Sequence, residues 1–204
     1  LGILLLTGFF AYHAQHIRLD SSVESLLPRG DTAKTYYDEV RGLFGSDEVG
    51  VIGIITDDVY APHVLAKIKR LTEAIRRIPE VKNVISLTNA PDVVMSVAKE
   101  STLLVPDVNL PHAAVAELKK RLLDQPIYLK NLVSRDGRAA AINIFFENLG
   151  DDEFFRRGTD DTIQALVARE TGPEQLYYTG LPHFKVYSTR AMWNDLAFFV
   201  PCTL

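Results

Sequence analysis

Acidic pairs and a close pair of histidines are the residues of this chain whose types and spacing could do chemistry. Asp57-Asp58, Asp151-Asp152 and Asp160-Asp161 each set two carboxylates side by side, a supply of oxygen ligands for a hard cation. The first two pairs stand just before stretches of helical periodicity, where carboxylates favour the N-terminal dipole, and that structural reading is the stronger. His13 and His16 lie one helical turn apart. They could form a pH-sensitive or metal-binding pair, but beside an apolar run they read as polar rings at a membrane boundary. No metal site is expected.

Enzymatic signatures are missing. The sequence holds no H-E-x-x-H, no G-x-S-x-G, no phosphate-binding glycine loop and no Cys/His cluster. Gly50 and Gly53 fall inside an apolar run, where close backbone packing explains them better than phosphate binding. Arg29-Gly30-Asp31 spells an adhesion tripeptide, a match too short to carry information. The single cysteine, Cys202, excludes an internal disulfide. A net charge of -4 with both signs interspersed leaves no basic footprint for nucleic acid. The chain therefore reads as non-enzymatic, with no catalytic residue and no cofactor.

The better candidates are apolar. Residues 88–110 show no sustained period, and a long irregular stretch inside a compact domain is usually functional or mobile. Within it Val93, Val94, Met95, Leu103, Leu104 and Val105 interrupt polar sequence. They could line a cleft for a hydrophobic ligand, Met being the most adaptable of them. Anchoring of the segment on the core is the competing reading.

Such residues need a scaffold, and hydrophobic periodicity outlines one. Strands are expected near 49–56, 81–87, 138–147 and 175–180, with helices near 62–78 and 152–171. "EVGVIGIIT" is a near-continuous Val/Ile run, the pattern of a strand buried on both faces. Pro62 suits a first helical turn, and Val64, Ile68, Leu71, Ile75 and Ile78 mark one helix face before Pro79 stops it. A β-α-β unit follows, its two strands parallel and in one sheet. Pro111 opens another helix, carrying Val115, Leu118 and Leu122. "IYLKNLV" and "AAAINIFFE" read as a hairpin turned at Asp136-Gly137. In the second run Ile142, Ile144 and Phe146 point one way, and Ala141, Asn143 and Phe145 the other. Phe155, Ile163, Leu166 and Val167 mark the helix near 152–171, and a second β-α-β order ends at "QLYYTG". Ser21 and Glu24 have capping-box spacing, with Tyr36, Tyr37, Val40, Leu43 and Phe44 at helical intervals behind them. The expected fold class is α+β, an α/β sandwich of β-α-β modules, which the resemblance described below implies to be ferredoxin-like.

The two ends carry no charge: every Lys, Arg, Asp and Glu lies between Arg18 and Asp195. A membrane-spanning helix needs about 20 apolar residues, so neither "LGILLLTGFFAY" nor "LAFFVPCTL" spans alone, and each reads as part of a span. A signal peptide fits the first run poorly, for want of a basic leader and a small-x-small cleavage site. The expected organisation is the end of a first membrane helix over 1–17, a polar domain over 18–181, which the resemblance described below makes extracytoplasmic, and a helix leading into a second span over 182–204. Trp193 would sit as an interfacial aromatic, and Asp195 would stay hydrated near the boundary.

In order and spacing, "SLLPRGD", "LFGSDEVGVIGI", "RIPEVKNVISLTN", "LVSRDGRAAAINIFF", "YYTGLP" and "WNDLAFFVP" resemble the first extracytoplasmic domain of resistance-nodulation-division exporters. The resemblance is greatest to those related to the MMPL and hopanoid transporters, and it covers essentially the whole chain. It implies a substrate-handling porter domain of a proton-driven exporter of lipids or other hydrophobic molecules, on the periplasmic side of a bacterial inner membrane. The partners implied are the remaining transmembrane helices, a second porter domain of the same transporter, and possible further copies of the chain. The proton-coupling residues would lie in later helices. The alternative is a membrane-tethered ferredoxin-like sensor or ligand-binding module.

Overall fold

The computed structural model describes residues 48–92 and 103–203, together with 2, 8–10, 12, 32, 35, 36, 39 and 40. In chain order the elements are β1 (Val49–Ile55), α1 (Pro62–Ile75), β2 (Val81–Ile85), α2 (His112–Asp124) and β3 (Ala139–Phe146). After them come α3 (Asp151–Arg157), α4 (Thr159–Arg169), β4 (Gln175–Gly180) and α5 (Leu181–Thr203). The four strands form one sheet in the order β2-β3-β1-β4, with every neighbouring pair antiparallel. β1 and β2 therefore run the same way with β3 between them, and β3 and β4 run the same way with β1 between them. Each β-α-β crossover skips one strand, which is the split β-α-β arrangement of ferredoxin-like α+β domains. α2 belongs to a long insertion between β2 and β3.

Among the described residues, helices close only one face of the sheet. On β3, Ala140, Ile142, Ile144 and Phe146 are buried, as are Ile52 and Ile54 on β1. They pack with Val64, Leu65, Ile68, Leu71 and Ile75 of α1 and with Ile163 of α4 in one core. Pro62 stands in the first turn of α1, where its missing N–H costs no hydrogen bond. The helix ends at Ile75, three residues before the expected stop, because the chain tightens into i→i+3 turns. Arg77 N–H donates to the Ala74 carbonyl and Ile78 N–H to that of Ile75. α1 also buries a cation: Lys67 donates to Glu174 Oε2 at 2.5 Å and to the Thr171 carbonyl at 2.8 Å, tying the helix to the approach of β4.

Four expectations need correction. β1 is not buried on both faces, since Val49 and Val51 are half-buried and Ile55 is 47% exposed; the helices cover one side only. The expected helix near 152–171 is two helices, broken at Gly158, which takes the left-handed conformation at φ 64° that glycine adopts without steric cost. "IYLKNLV" is not a strand. β3 is already flanked by β1 and, over its second half, by β2. The run coils instead, with Leu132 N–H donating to the Tyr128 carbonyl at 2.8 Å, and touches β3 through Asn131, Leu132 and Val133. The tight return at Asp136-Gly137 does form, with Gly137 at φ 68°. Finally, Gly53 has no close backbone neighbour to explain it. At Gly50 a Cβ would stand 3.1 Å from the Phe146 ring and 3.3 Å from that of Tyr178, as close packing requires.

β4 passes into α5 without a loop. At the junction Gly180 has φ 128°, and a Cβ there would lie 2.3 Å from the Val49 carbonyl oxygen, so only glycine fits. The base of α5 is held by Val186, which is buried, and by Lys185, which reaches Glu48 Oε1 at 2.6 Å. Further along, Trp193 is 43% exposed and Asp195 is exposed. Among the described residues no helix is long and apolar enough to cross a membrane. Thr32, Thr35, Tyr36, Glu39 and Val40 are helical, as expected, and the rest of residues 20–45 lies outside the described residues.

Candidate ligand groove

The uncovered face of the sheet carries the alternate residues of the same strands. Across it, Asn143 of β3 stands opposite Ile85 of β2 and Val51 of β1, and Phe145 stands opposite Asn83 and Val49. Neither α1 nor α4 reaches this side, so a half-buried apolar surface is left for something else to cover. The insertion covers part of it. After α2, residues 126–134 fold over the end of the face with Tyr128, Leu132 and Val133 buried, and the turn after β2 brings up Ala90 and Pro91.

Between sheet and insertion lies a groove of about 460 Å³, within the range of small-molecule sites. Val49, Ile85, Asn143 and Phe145 form its floor, Ala90 and Pro91 one wall, and Ile127, Tyr128, Asn131 and Leu132 the other. The walls are pinned to each other, since the Tyr128 hydroxyl donates to the Pro91 carbonyl at 2.7 Å. Asp92, buried next to Pro91, pairs with Arg121 of α2. Two amides interrupt the apolar lining. Asn143 Nδ2 donates to the Asn131 main-chain carbonyl at 3.0 Å, and Asn131 Nδ2 to the Ile127 carbonyl at 3.1 Å.

The residues singled out from sequence are distributed unevenly around this groove. Leu103, 44% exposed, pairs with Pro91 beside the wall. Leu104 and Val105 turn inward and are buried in the core, Leu104 N–H donating to the Ala90 carbonyl at 2.9 Å; they hold the segment down, as apolar side chains returning from a loop do. Leu103 and Val105 also border a second, smaller hollow against α1, of about 290 Å³, with Lys69, Thr72, Glu73 and Arg76 around it. Val93, Val94, Met95, His13 and His16 lie outside the described residues.

The acidic pairs are drawn into structure. Asp57 pairs with Arg138 at 3.0 Å, and Asp58 lies 3.7 Å from Lys119 and accepts from Tyr60 N–H. Burial and the Asp58 charge push the Tyr60 phenol up to about 12. Asp151 and Asp152 open α3, while Asp160 and Asp161 open α4. Asp160 is buried, its carboxylate 3.0 Å from His183 Nδ1 and accepting from Gln164 Nε2 at 2.6 Å. The His183 ring rests on Tyr178, with centroids 4.8 Å apart, and burial of that phenol, reinforced by the Asp160 charge, raises its pKa. The cluster joins α4, β4 and the first turn of α5. Among the described residues no three His, Cys, Asp or Glu side chains are grouped to hold a metal.

Sequence reasoning missed Asn131, Tyr128, His183 and the buried Lys67. For the groove a signal was present: Asn143 is the one polar residue in the run "AAAINIFF", on the face opposite the isoleucines. No family model matches the sequence, and no match to a curated protein was found.

Proposed function

We propose that this is the substrate-handling domain of a proton-driven exporter of the resistance-nodulation-division type, moving lipids or other hydrophobic molecules. It would act on the extracytoplasmic side of a bacterial inner membrane, together with further transmembrane helices and a second domain of its own kind. The observation that carries this reading is the apolar groove on the open face of the sheet. Apolar surface left uncovered beside a shaped cavity gains about 25 cal/mol per Å² when a ligand removes it from water. A transport domain needs such a site to be open at one side, so that cargo leaves as readily as it enters.

The test is binding of N-phenyl-1-naphthylamine, a neutral apolar fluorophore, to the 204-residue chain. Ile127, at 58% exposure, and the half-buried Phe145 both line the groove. The Ile127→Ser, Phe145→Ser double variant should weaken binding about tenfold or more while keeping a cooperative melting transition. In the full-length protein the same double variant should cut export at matched expression, whereas Asp151→Asn, Asp152→Asn should not. Undiminished fluorophore binding by the double variant would remove the groove from the proposal.

A further inference from the structure

The two amides in the groove say what kind of molecule it takes. Only an –NH₂ group can donate to a carbonyl, so the contacts of Asn143 Nδ2 with the Asn131 carbonyl and of Asn131 Nδ2 with the Ile127 carbonyl fix the orientation of both side chains. Each amide commits one of its two N–H bonds to the scaffold and turns its oxygen to no protein donor among the described residues. Neither Asn131 Oδ1 nor Asn143 Oδ1 has a hydrogen-bond partner among the described residues. The groove thus presents two acceptors in an apolar setting. Among the described residues the one hydroxyl in its lining, that of Tyr128, already gives its proton to Pro91.

Charge selects in the same direction. Among the described residues no Asp, Glu, Lys, Arg or His lines the groove, and Asp92, which follows Pro91, is paired with Arg121. A carboxylate or phosphate placed against the amide oxygens would be desolvated with no cation to meet it, and acceptor would face acceptor. A hydroxyl loses nothing there, because its proton finds an amide oxygen.

We propose that the groove takes an electrically neutral amphiphile, an apolar chain or ring system whose hydroxyl donates to the side-chain oxygens of Asn131 and Asn143. This rests on the reading of the groove as the ligand site and narrows the ligand within it.

Three compounds of equal chain length separate the possibilities when used to displace N-phenyl-1-naphthylamine from the 204-residue chain at pH 8: dodecanol, dodecyl methyl ether and dodecanoate. Dodecanol should displace at a concentration about fivefold lower than the ether, the worth of about one net hydrogen bond, and dodecanoate should be the weakest. Asn143→Leu should bring alcohol and ether together without weakening the ether. Asn131→Ala, at an exposed position, should shrink the preference in the same way and serves if Asn143→Leu does not fold. Equal displacement by alcohol and ether, stronger displacement by dodecanoate, or a preference that survives both substitutions would each overturn the hydroxyl assignment while leaving the groove as an apolar site. Failure of the fluorophore and of all three compounds to bind would overturn the groove reading and this assignment together.

Discussion

The two faces of the sheet use nearly the same residue types for different ends. Toward α1 and α4 the strands present Ile52, Ile54, Ile142 and Ile144, none of which retains solvent exposure. Toward the other side the same strands present Val49, Val51, Ala141 and Phe145, all half-buried, and Ile55, which is largely open. Hydrophobicity does not separate the two sets; the position of the crossover helices does. A helix-covered face converts its apolar area into stability, whereas an open face of similar composition leaves its area accessible, the property on which the proposed ligand site rests.

The sharpest way to break this contrast is Ile68→Asp. Ile68 is fully buried at the centre of the α1 face, and an unpaired carboxylate there costs as much as a whole domain's stability, about 5–15 kcal/mol. The chain should lose its cooperative thermal transition or become insoluble. A melt like that of the wild type would show that the closed face is not the core.

A smaller loss is expected from Lys67→Met, which leaves the buried Glu174 facing only the largely exposed His63, 3.2 Å from its Oε1, in place of a buried cation. Removing one member of a buried pair costs about 3–5 kcal/mol. The hydrogen bond from Lys67 holds the Glu174 carboxyl below its ordinary value of 4.5, against the upward pull of burial. A depressed carboxyl stabilises the fold above that ordinary value, and the contribution disappears as pH falls through the lower folded one. In the variant burial dominates and the carboxyl rises. The deficit should therefore be greatest near neutral pH and narrow on acidification, read from urea midpoints across the acid range. A deficit independent of pH would mean that Lys67 acts through packing alone.

On the open face the effect should nearly vanish. Ile55→Thr keeps a β-branched side chain at a position that is 47% exposed, and the change in stability should stay within about 0.5 kcal/mol. A loss above about 2 kcal/mol by chemical denaturation would place Ile55 in a packed environment and erase the distinction between the faces.

Much of the scaffold was legible from periodicity. The four strands, α1, α2 and the apolar face of Ile163 follow from alternation, Pro62 and the spacing of branched side chains. What failed did so for tertiary reasons. β1 and β3 look equally apolar on both faces, and nothing local says which face the crossovers will cover. "IYLKNLV" has strand composition, but β3 had already found its partners. Val64 and Ile68 announced the helix face, while Lys67 between them gave no sign of Glu174, which lies far along the chain. The groove was legible only in part. Asn143 stood out within its strand, but Asn131 and Tyr128 reach the site through an insertion whose path no local pattern encodes. Leu104 and Val105 stood out as candidates for a cleft lining, and they are buried in the core, as the competing anchoring reading has them.

The direct passage from β4 into α5 at Gly180 bears on how force would travel. α5 has 23 residues, so at 1.5 Å per residue it extends about 34 Å from the sheet edge, and a tilt of about 5° at its base moves the far end by about 3 Å. No loop lies between strand and helix to absorb such a tilt. The Val49 backbone leaves no room for a side chain at the junction, and the Glu48–Lys185 pair grips the first turns of the helix. β1, which starts beside that junction, also contributes Val49 to the groove floor. Helix and groove thus meet at Val49, whose carbonyl abuts Gly180 at the helix base and whose side chain lies in the groove floor.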